Sequence, residues 1–189
     1  MNNKVTVISG RRLVDERGWF TESYSARRLP ASGIDCAFVQ DNHSYSAQAG
    51  TVRGVHFQAP PHAQAKLVRC LRGRIIDYAV DLRRGSPTYG RAVGVELTAD
   101  NTKQLFIPIG FGHAFVTLEP DVEVAYKVSD FYTPECEGGV IWSDPALGID
   151  WPLPSSGAVL SVKDRGLPPL SALDSPFDFD GCPLELAVA

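Results

Sequence analysis

Short runs of β-forming residues, closed at each end by turn-forming clusters, limit what this chain can become. Eight such runs stand out: Lys4–Ile8, Cys36–Gln40, Lys66–Leu71, Arg74–Leu82, Ala92–Leu97, Gln104–Ile107, Ala114–Thr117 and Glu123–Val128. The segments between them, RRGSPTYG, TADN and LEPD among them, are rich in Gly, Pro, Asn and Asp, which supply the backbone angles of turns. Helical periodicity is weak and confined to Glu22–Leu29 and a short element near Pro134–Gly138. Many short strands with regular turns imply a mainly β fold, a barrel or sandwich of the jelly-roll kind with a few short helices. Arg72-Gly73, between two apolar runs, predicts a tight hairpin connection. In RIIDYAVDL, Ile76, Tyr78, Val80 and Leu82 share one face, while Ile75, Asp77, Ala79 and Asp81 share the other. Two carboxylates on one face direct it to a polar interior or to solvent.

At 189 residues the chain is expected to form a single domain, 1–189, with the proline-bearing stretch from about Gly166 wrapping over the body. A net charge of −4 disfavours non-specific nucleic-acid or membrane partners and leaves room only for a local basic pocket. Cys36, Cys70, Cys136 and Cys182 form no CxxC pair and no regular spacing, so reduced thiols are expected rather than a zinc site or a disulfide framework. The N-terminal MNNKVTVISGRR lacks the apolar core of a signal, and no run has the length of a membrane span, so the expected location is cytoplasmic.

The stretch RGVHFQAPPHAQAKLVRCLRG, Arg53 to Gly73, gathers histidines, glutamines, a lysine and arginines around strand-like residues. A polar cluster of that kind marks the mouth of a barrel, where a small ligand sits. Pro108-Ile109-Gly110-Phe111-Gly112-His113 has the PxGxxH form of the second metal block of cupin jelly rolls. The first block, however, calls for HxH, and His56-Phe57-Gln58 offers one imidazole and a glutamine, a poor metal ligand. His62 lies in the Pro-rich PPHAQ and breaks the alternation. No metal is therefore expected.

Without a metal, His56 becomes a candidate for moving a proton, since an imidazole titrates at about 6.5. A carboxylate that fixes its tautomer would improve it as a base. Asp164, in LSVKD, would serve if the tail folds back over the mouth. Taken singly, these residues have plainer readings. Arg53 by itself suits an ion pair with a carboxylate, and Tyr126 in EVAYKV suits a core position. His43 and His62 suit wet loops, Arg27-Arg28 a solvated helix face, Trp142 and Trp151 packing under the tail, and Asp144 and Asp150 turn caps.

Nine blocks together resemble the dTDP-4-dehydrorhamnose 3,5-epimerase family in order and spacing: DERGWFTESY, FVQDNHSYS, RGVHFQ, AQAKLVR, DLRRGSPTYG, LFIPIGFGHAF, YKVSDFYTPECEG, WSDPALGIDWP and LSVKD. The resemblance implies a cupin-type jelly-roll homodimer, free of cofactor and metal. It would act on dTDP-4-dehydro-6-deoxy-D-glucose, inverting C3 and C5 on either side of the C4 ketone to give dTDP-4-dehydro-β-L-rhamnose. By similarity His56 is the base and Asp164 its partner. Tyr126 is the acid on the opposite face, and Lys66 is the cation beside the keto and enolate oxygen. His113 contacts the sugar, with Asp77 bracing it. Arg17 and Arg53 neutralise the diphosphate, while Glu22, Gln40, Asp41 and Asn42 hydrogen-bond the nucleotide-sugar. Tyr132 stacks on thymine with Phe20 as a second wall, and Glu137 and Lys163 fall on family binding positions. In relatives the Arg17–Glu22 segment crosses to the partner subunit, so each site is built from both chains by strand exchange.

Two departures accompany the match. GFGHAF stands where the family has GFAHGF, which is expected to alter pocket volume slightly, and Tyr78 stands where an aliphatic residue is usual, of little consequence if it points outward. Three readings stay open: the 3,5-epimerase, a related epimerase that inverts one centre or uses another sugar or nucleotide, and a metal-dependent cupin or non-catalytic binding module.

Overall fold

The computed structural model describes residues 4–189. Eleven of its strands form two facing sheets. In chain order the strands are β1 (Val5–Ser9), β2 (Leu13–Asp15), β3 (Gly18–Phe20), β4 (Gln40–Ser46), β5 (Val52–Gln58), β6 (Lys66–Arg72) and β7 (Arg74–Asp81). They continue with β8 (Ala92–Thr98), β9 (Lys103–Ile107), β10 (Phe111–Thr117), β11 (Val122–Val128), β12 (Glu137–Gly139) and β13 (Leu186–Val188). One sheet has the order β13-β1-β9-β6-β11-β4 and the other β12-β5-β10-β7-β8, while β2 and β3 form a separate hairpin. Among the strands of the described residues only the β1–β13 pair is parallel. One short helix, α1 (Val162–Arg165), and several 3₁₀ turns complete the secondary structure of the described residues. No helix among them is long and apolar enough to cross a membrane.

Apolar side chains from both sheets, including Val5, Val68, Ile75, Leu97, Leu105 and Phe115, fill the space between them. The outer face of the five-stranded sheet is covered as well. Val55, Tyr78, Val80, Leu82, Ala114 and Val116 pack there under Val140, Leu147, Leu170 and Phe177, with Trp142 and Trp151 alongside. With both faces buried, β10 shows no exposed residue along FGHAFVT, as expected of a strand sandwiched between two apolar layers. Tyr78 therefore points to the outer face but not into solvent: it is 8% exposed and its ring meets Trp151 edge-on at 4.8 Å.

The segment after α1 crosses this outer face. Ile141 N–H donates to Pro168 O at 2.8 Å, and the Asp144 carboxylate accepts from Leu170 N–H at 2.6 Å and caps its own turn through Ala146 N–H. Further on, Asp180 reaches the buried Arg83, whose guanidinium also forks onto Asp81, and β13 joins the edge at β1.

Several local expectations are corrected. Arg72-Gly73 is not a hairpin, because β6 and β7 lie in different sheets. Gly73, at φ +77°, turns the corner between them, and a Cβ there would lie 2.8 Å from Val122. The run Cys36–Gln40 is irregular up to Val39, the strand beginning at Gln40. Glu22–Leu29 is not helical: Ser23 gives its carbonyl to Gln104 Nε2 at 2.7 Å, and a 3₁₀ turn starts only at Leu29. Arg27 and Arg28 are exposed, though on no helix, and His43 lies on β4 rather than in a loop, paired with Glu123.

Candidate active site

The two sheets separate at one end of the sandwich into a polar cleft, and each sheet supplies one wall. On the five-stranded sheet His56 of β5 sits directly opposite His113 of β10, and Asp77 of β7 lies one strand further. On the six-stranded sheet Tyr126 of β11 sits opposite Asn42 of β4 and Val68 of β6, the strand that opens with Lys66. The cleft has two lobes, of about 290 and about 270 Å³. His56, Lys66 and Tyr126 line both. The first lobe adds Gln40, Asn42, Tyr132 and Glu137; the second adds Arg53, His113, Lys163 and Asp164. Close approach of β5 to β10 depends on Gly54, where a Cβ would stand 2.5 Å from His113 O.

His56 Nε2 meets Asp164 Oδ1 at 2.5 Å. The carboxylate comes from α1, where Ser161 caps the helix by accepting the Asp164 N–H at 3.0 Å. Burial opposes the charge on Asp164, but the hydrogen bond and attraction of His56, with Ser161 and Lys163, hold its carboxyl below the usual range. With Nε2–H given to Asp164, Nδ1 of His56 carries the free lone pair.

A second imidazole–carboxylate pair lies deeper: His113 Nε2 meets Asp77 Oδ1 at 2.7 Å, both groups being buried. Burial pushes His113 down and Asp77 up, so the pair favours holding its proton without separated charge. Asp77 Oδ2 is buried without a hydrogen-bond partner among the described residues. Burial also lowers Lys66 to about 8, with Asp77 and Glu137 pulling the other way. Its ammonium stands 6.0 Å from the centre of the Tyr126 ring. Burial raises the Tyr126 phenol above its ordinary value, Arg53 offsets this in part, and Glu137 adds to it. A cation that forms no salt bridge among the described residues therefore lies beside a phenol that keeps its proton at neutral pH.

Arg53 does not take the plainer role of an ion pair. Its guanidinium donates to Tyr45 O at 2.9 Å and to Ser46 Oγ at 3.3 Å, leaving charge directed at the second lobe. Lys163 pairs with Glu137 at 2.5 Å, and Tyr132 donates its hydroxyl to the same Glu137 oxygen at 2.8 Å. Gln40 and Asn42 hydrogen-bond each other on the cleft wall. Four anticipated contacts stand elsewhere in this chain. Arg17 is tied to Asp15 and exposed, Phe20 is exposed on the same hairpin, and Glu22 pairs with Arg28. Asp41 faces the outer side of β4, because neighbours on a strand alternate, and it pairs with Lys127 at 2.7 Å.

Gln58, at the place of a second metal-binding imidazole, has its amide fully engaged with loop backbone. Among the described residues no group of three or more His, Cys, Asp or Glu is arranged to hold a metal ion. The residues read from the sequence did not include Ser161 or Gln58 in a working role. The Ser161-to-Asp164 spacing, a helix N-cap pattern, signals the first; no local pattern signals the second.

Known proteins resemble this chain over most of its length. A family model described as dTDP-4-dehydrorhamnose 3,5-epimerase matches residues 3–172. The chain belongs to that family. A dTDP-4-dehydrorhamnose 3,5-epimerase of Pseudomonas aeruginosa is 50% identical over 162 residues, covering 85% of this chain and 88% of the relative. The crystal structure of a dTDP-6-deoxy-D-glucose-3,5-epimerase from Legionella pneumophila, in complex with dTDP-4-keto-L-rhamnose, is 43% identical and covers 93% of each chain with a TM-score of 0.87. A 3'-monoepimerase of Streptomyces bikiniensis in complex with dTDP-quinovose is 35% identical, covers 87% of this chain and 83% of its own, and has a TM-score of 0.80.

Within the epimerase family the GFGHAF departure acquires a structural account, and it is not the anticipated change of pocket volume. Gly112 and Ala114 face the outer apolar layer, opposite to His113 on the strand. A Cβ on Gly112 would lie 2.4 Å from Val55 Cγ1 and 3.0 Å from Leu82 Cδ1, so a methyl is excluded at 112 while one is packed at 114.

Proposed function

We propose that this chain epimerises dTDP-4-dehydro-6-deoxy-D-glucose at C3 and C5 to dTDP-4-dehydro-β-L-rhamnose. The observation that carries the reading is the pairing of walls. An imidazole held by a carboxylate lies on one sheet, a protonated phenol on the other, and a partly desolvated lysine lines the same cleft. A C4 ketone acidifies its neighbouring C–H bonds because the electron pair released moves onto oxygen. His56 Nδ1 takes the proton, breaking the C–H bond, and Asp164 supports the imidazolium that forms. Lys66 faces the charge developing on the enolate oxygen, where a fixed cation lowers the barrier most. Tyr126 then gives its phenolic proton to the opposite face of the carbon, leaving that centre inverted. Exchange with solvent then resets the pair, His56 losing the proton it took and Tyr126 regaining the one it gave, and the same groups act at the second centre after the ring is re-presented.

Arg53 and Lys163 take the diphosphate, and Tyr132 receives the base. Arg17, Phe20 and Glu22 complete the site of a partner subunit in a homodimer, a reading supported by the place of Arg17 and Phe20 on a hairpin whose residues do not line this chain's own cleft, with Glu22 just beyond it.

A second reading, a single-centre epimerase, is favoured by the likeness to the S. bikiniensis monoepimerase. Proton NMR of the dTDP-4-keto sugar with the enzyme in deuterium oxide separates the two. Exchange at both ring positions with product formation is expected, whereas exchange at one establishes the alternative. Activity that disappears with a chelator and returns with added metal would overturn both.

A further inference from the structure

Residues 129–136 carry the chain from β11 in one sheet to β12 in the other, along the first lobe of the cleft. Three consecutive residues of this loop are held by side-chain amides. Gln58 Nε2 donates to the carbonyls of Phe131, at 2.9 Å, and of His62; Gln58 Oε1 accepts from Thr133 N–H at 2.9 Å. Gln40 Oε1 accepts from Tyr132 N–H at 3.1 Å. The two glutamines belong to β5 and β4, so the loop is gripped from both walls at once. Gln58 is 4% exposed, and its amide fits in one orientation only. Turned over, it would set donor against donor at Thr133 and oxygen against oxygen at two carbonyls. Removing such a group leaves desolvated partners unpaired and frees whatever they held.

What this grip holds is Tyr132. Its side chain is exposed along the cleft wall, and its hydroxyl is anchored on Glu137 at 2.8 Å. A ring tied at its backbone on both sides and at its tip has little freedom left to lose when a flat partner stacks on it, which is the condition under which stacking contributes most.

We propose that Gln58 is a positioning residue for nucleobase recognition. On this strand a metal-binding cupin would present its second imidazole; here an amide instead fixes the 131–133 loop so that Tyr132 stands ready for an aromatic base. The inference rests on the nucleotide-sugar reading of the cleft. It assigns Gln58 to affinity and not to proton transfer, although it is two residues from His56 on the same strand.

The test compares Gln58→Leu, Gln58→Glu, Tyr132→Ala and the Gln58→Leu/Tyr132→Ala double variant. Titration calorimetry gives the Kd for dTDP, and steady-state kinetics with the 4-keto sugar give KM and kcat. Gln58→Leu removes every bond that Gln58 makes to the loop, and Gln58→Glu keeps the acceptor for Thr133 while losing both donors, so the second carries the test if the first does not fold. Each is expected to weaken dTDP and raise KM about tenfold, a part of what base stacking contributes, with kcat held within about twofold. In the Tyr132→Ala background Gln58→Leu should weaken dTDP no further. A fall in kcat at unchanged KM, or losses that multiply in the double variant, would overturn the assignment. Failure of the unaltered protein to bind dTDP would instead overturn the nucleotide-sugar reading itself.

Discussion

His56 can serve as a base only while Asp164 keeps its ring in one tautomer, and the two residues are 108 positions apart in sequence. His56→Ala is therefore expected to abolish solvent exchange at the ring carbons, a loss of about 10²- to 10⁴-fold by the usual worth of general-base catalysis, while dTDP still binds. Full exchange in that variant would remove His56 from its role. Lys66 offers a test by pH. Because burial lowers it to about 8, its ammonium is present below that pH and is lost as pH rises through it. The alkaline limb of kcat/KM should fall there, and Lys66→Arg, whose guanidinium stays protonated, should carry the limb to higher pH. An unchanged limb in the arginine variant would detach Lys66 from the oxygen it is assigned.

At the scale of single strands, β10 shows how closely the layers interlock. Gly112→Ala drives a methyl into Val55 and Leu82 and should cost about 1–3 kcal/mol of stability, the usual toll of overpacking, with kcat preserved below the melting range because the insertion lies behind His113. Thermal melting and kinetics on the one variant decide this; loss of kcat without loss of Tm would place Gly112 in the site. Strands with an apolar inner face were legible in the sequence: β6, β7, β8, β9 and β11 stand within a residue or two of the apolar runs. Two strands that build the cleft, β4 and β5, were not. QDNHSYS is polar on both faces because one meets solvent and the other lines the cleft. In VRGVHFQ a glycine and a histidine interrupt the pattern where the chain must pass close to β10. Function thus erased the periodicity by which these strands would have been found. The candidate site was read from the order of nine motifs rather than from period, and the structure brings His56, Lys66, Tyr126 and Asp164 to one cleft while Asp41 faces away from it. A motif fixes position along the chain, while the face presented depends on strand phase.

Across the whole molecule, the chain end is bound to the body through a charged core. Arg83 is 1% exposed and forks onto Asp81, while Asp180 reaches it from the tail. Burial opposes the charge on Asp81, but hydrogen bonds from Arg83, Ser86 and Thr88 outweigh it and hold the carboxyl below its usual range. A carboxylate with a depressed folded pKa lends stability that is complete above the unfolded value and disappears as pH falls through the folded one. Arg83→Met strands Asp81 without its cation. It should cost about 3 kcal/mol, on the order of 10 °C in Tm for a chain of this length, and should loosen the tail to proteolysis. A melting point within a degree of the unaltered protein would show that the cluster contributes nothing net.

The β2–β3 hairpin has the opposite character. Val14, Trp19 and Phe20 all stand exposed on it, and neither of its strands joins either sheet. Apolar surface held out in this way is sheltered from water only against something else. If a neighbouring copy provides that shelter and receives Phe20 in return, turnover per molecule becomes a function of how crowded the solution is, and should decline on dilution before any strand unfolds.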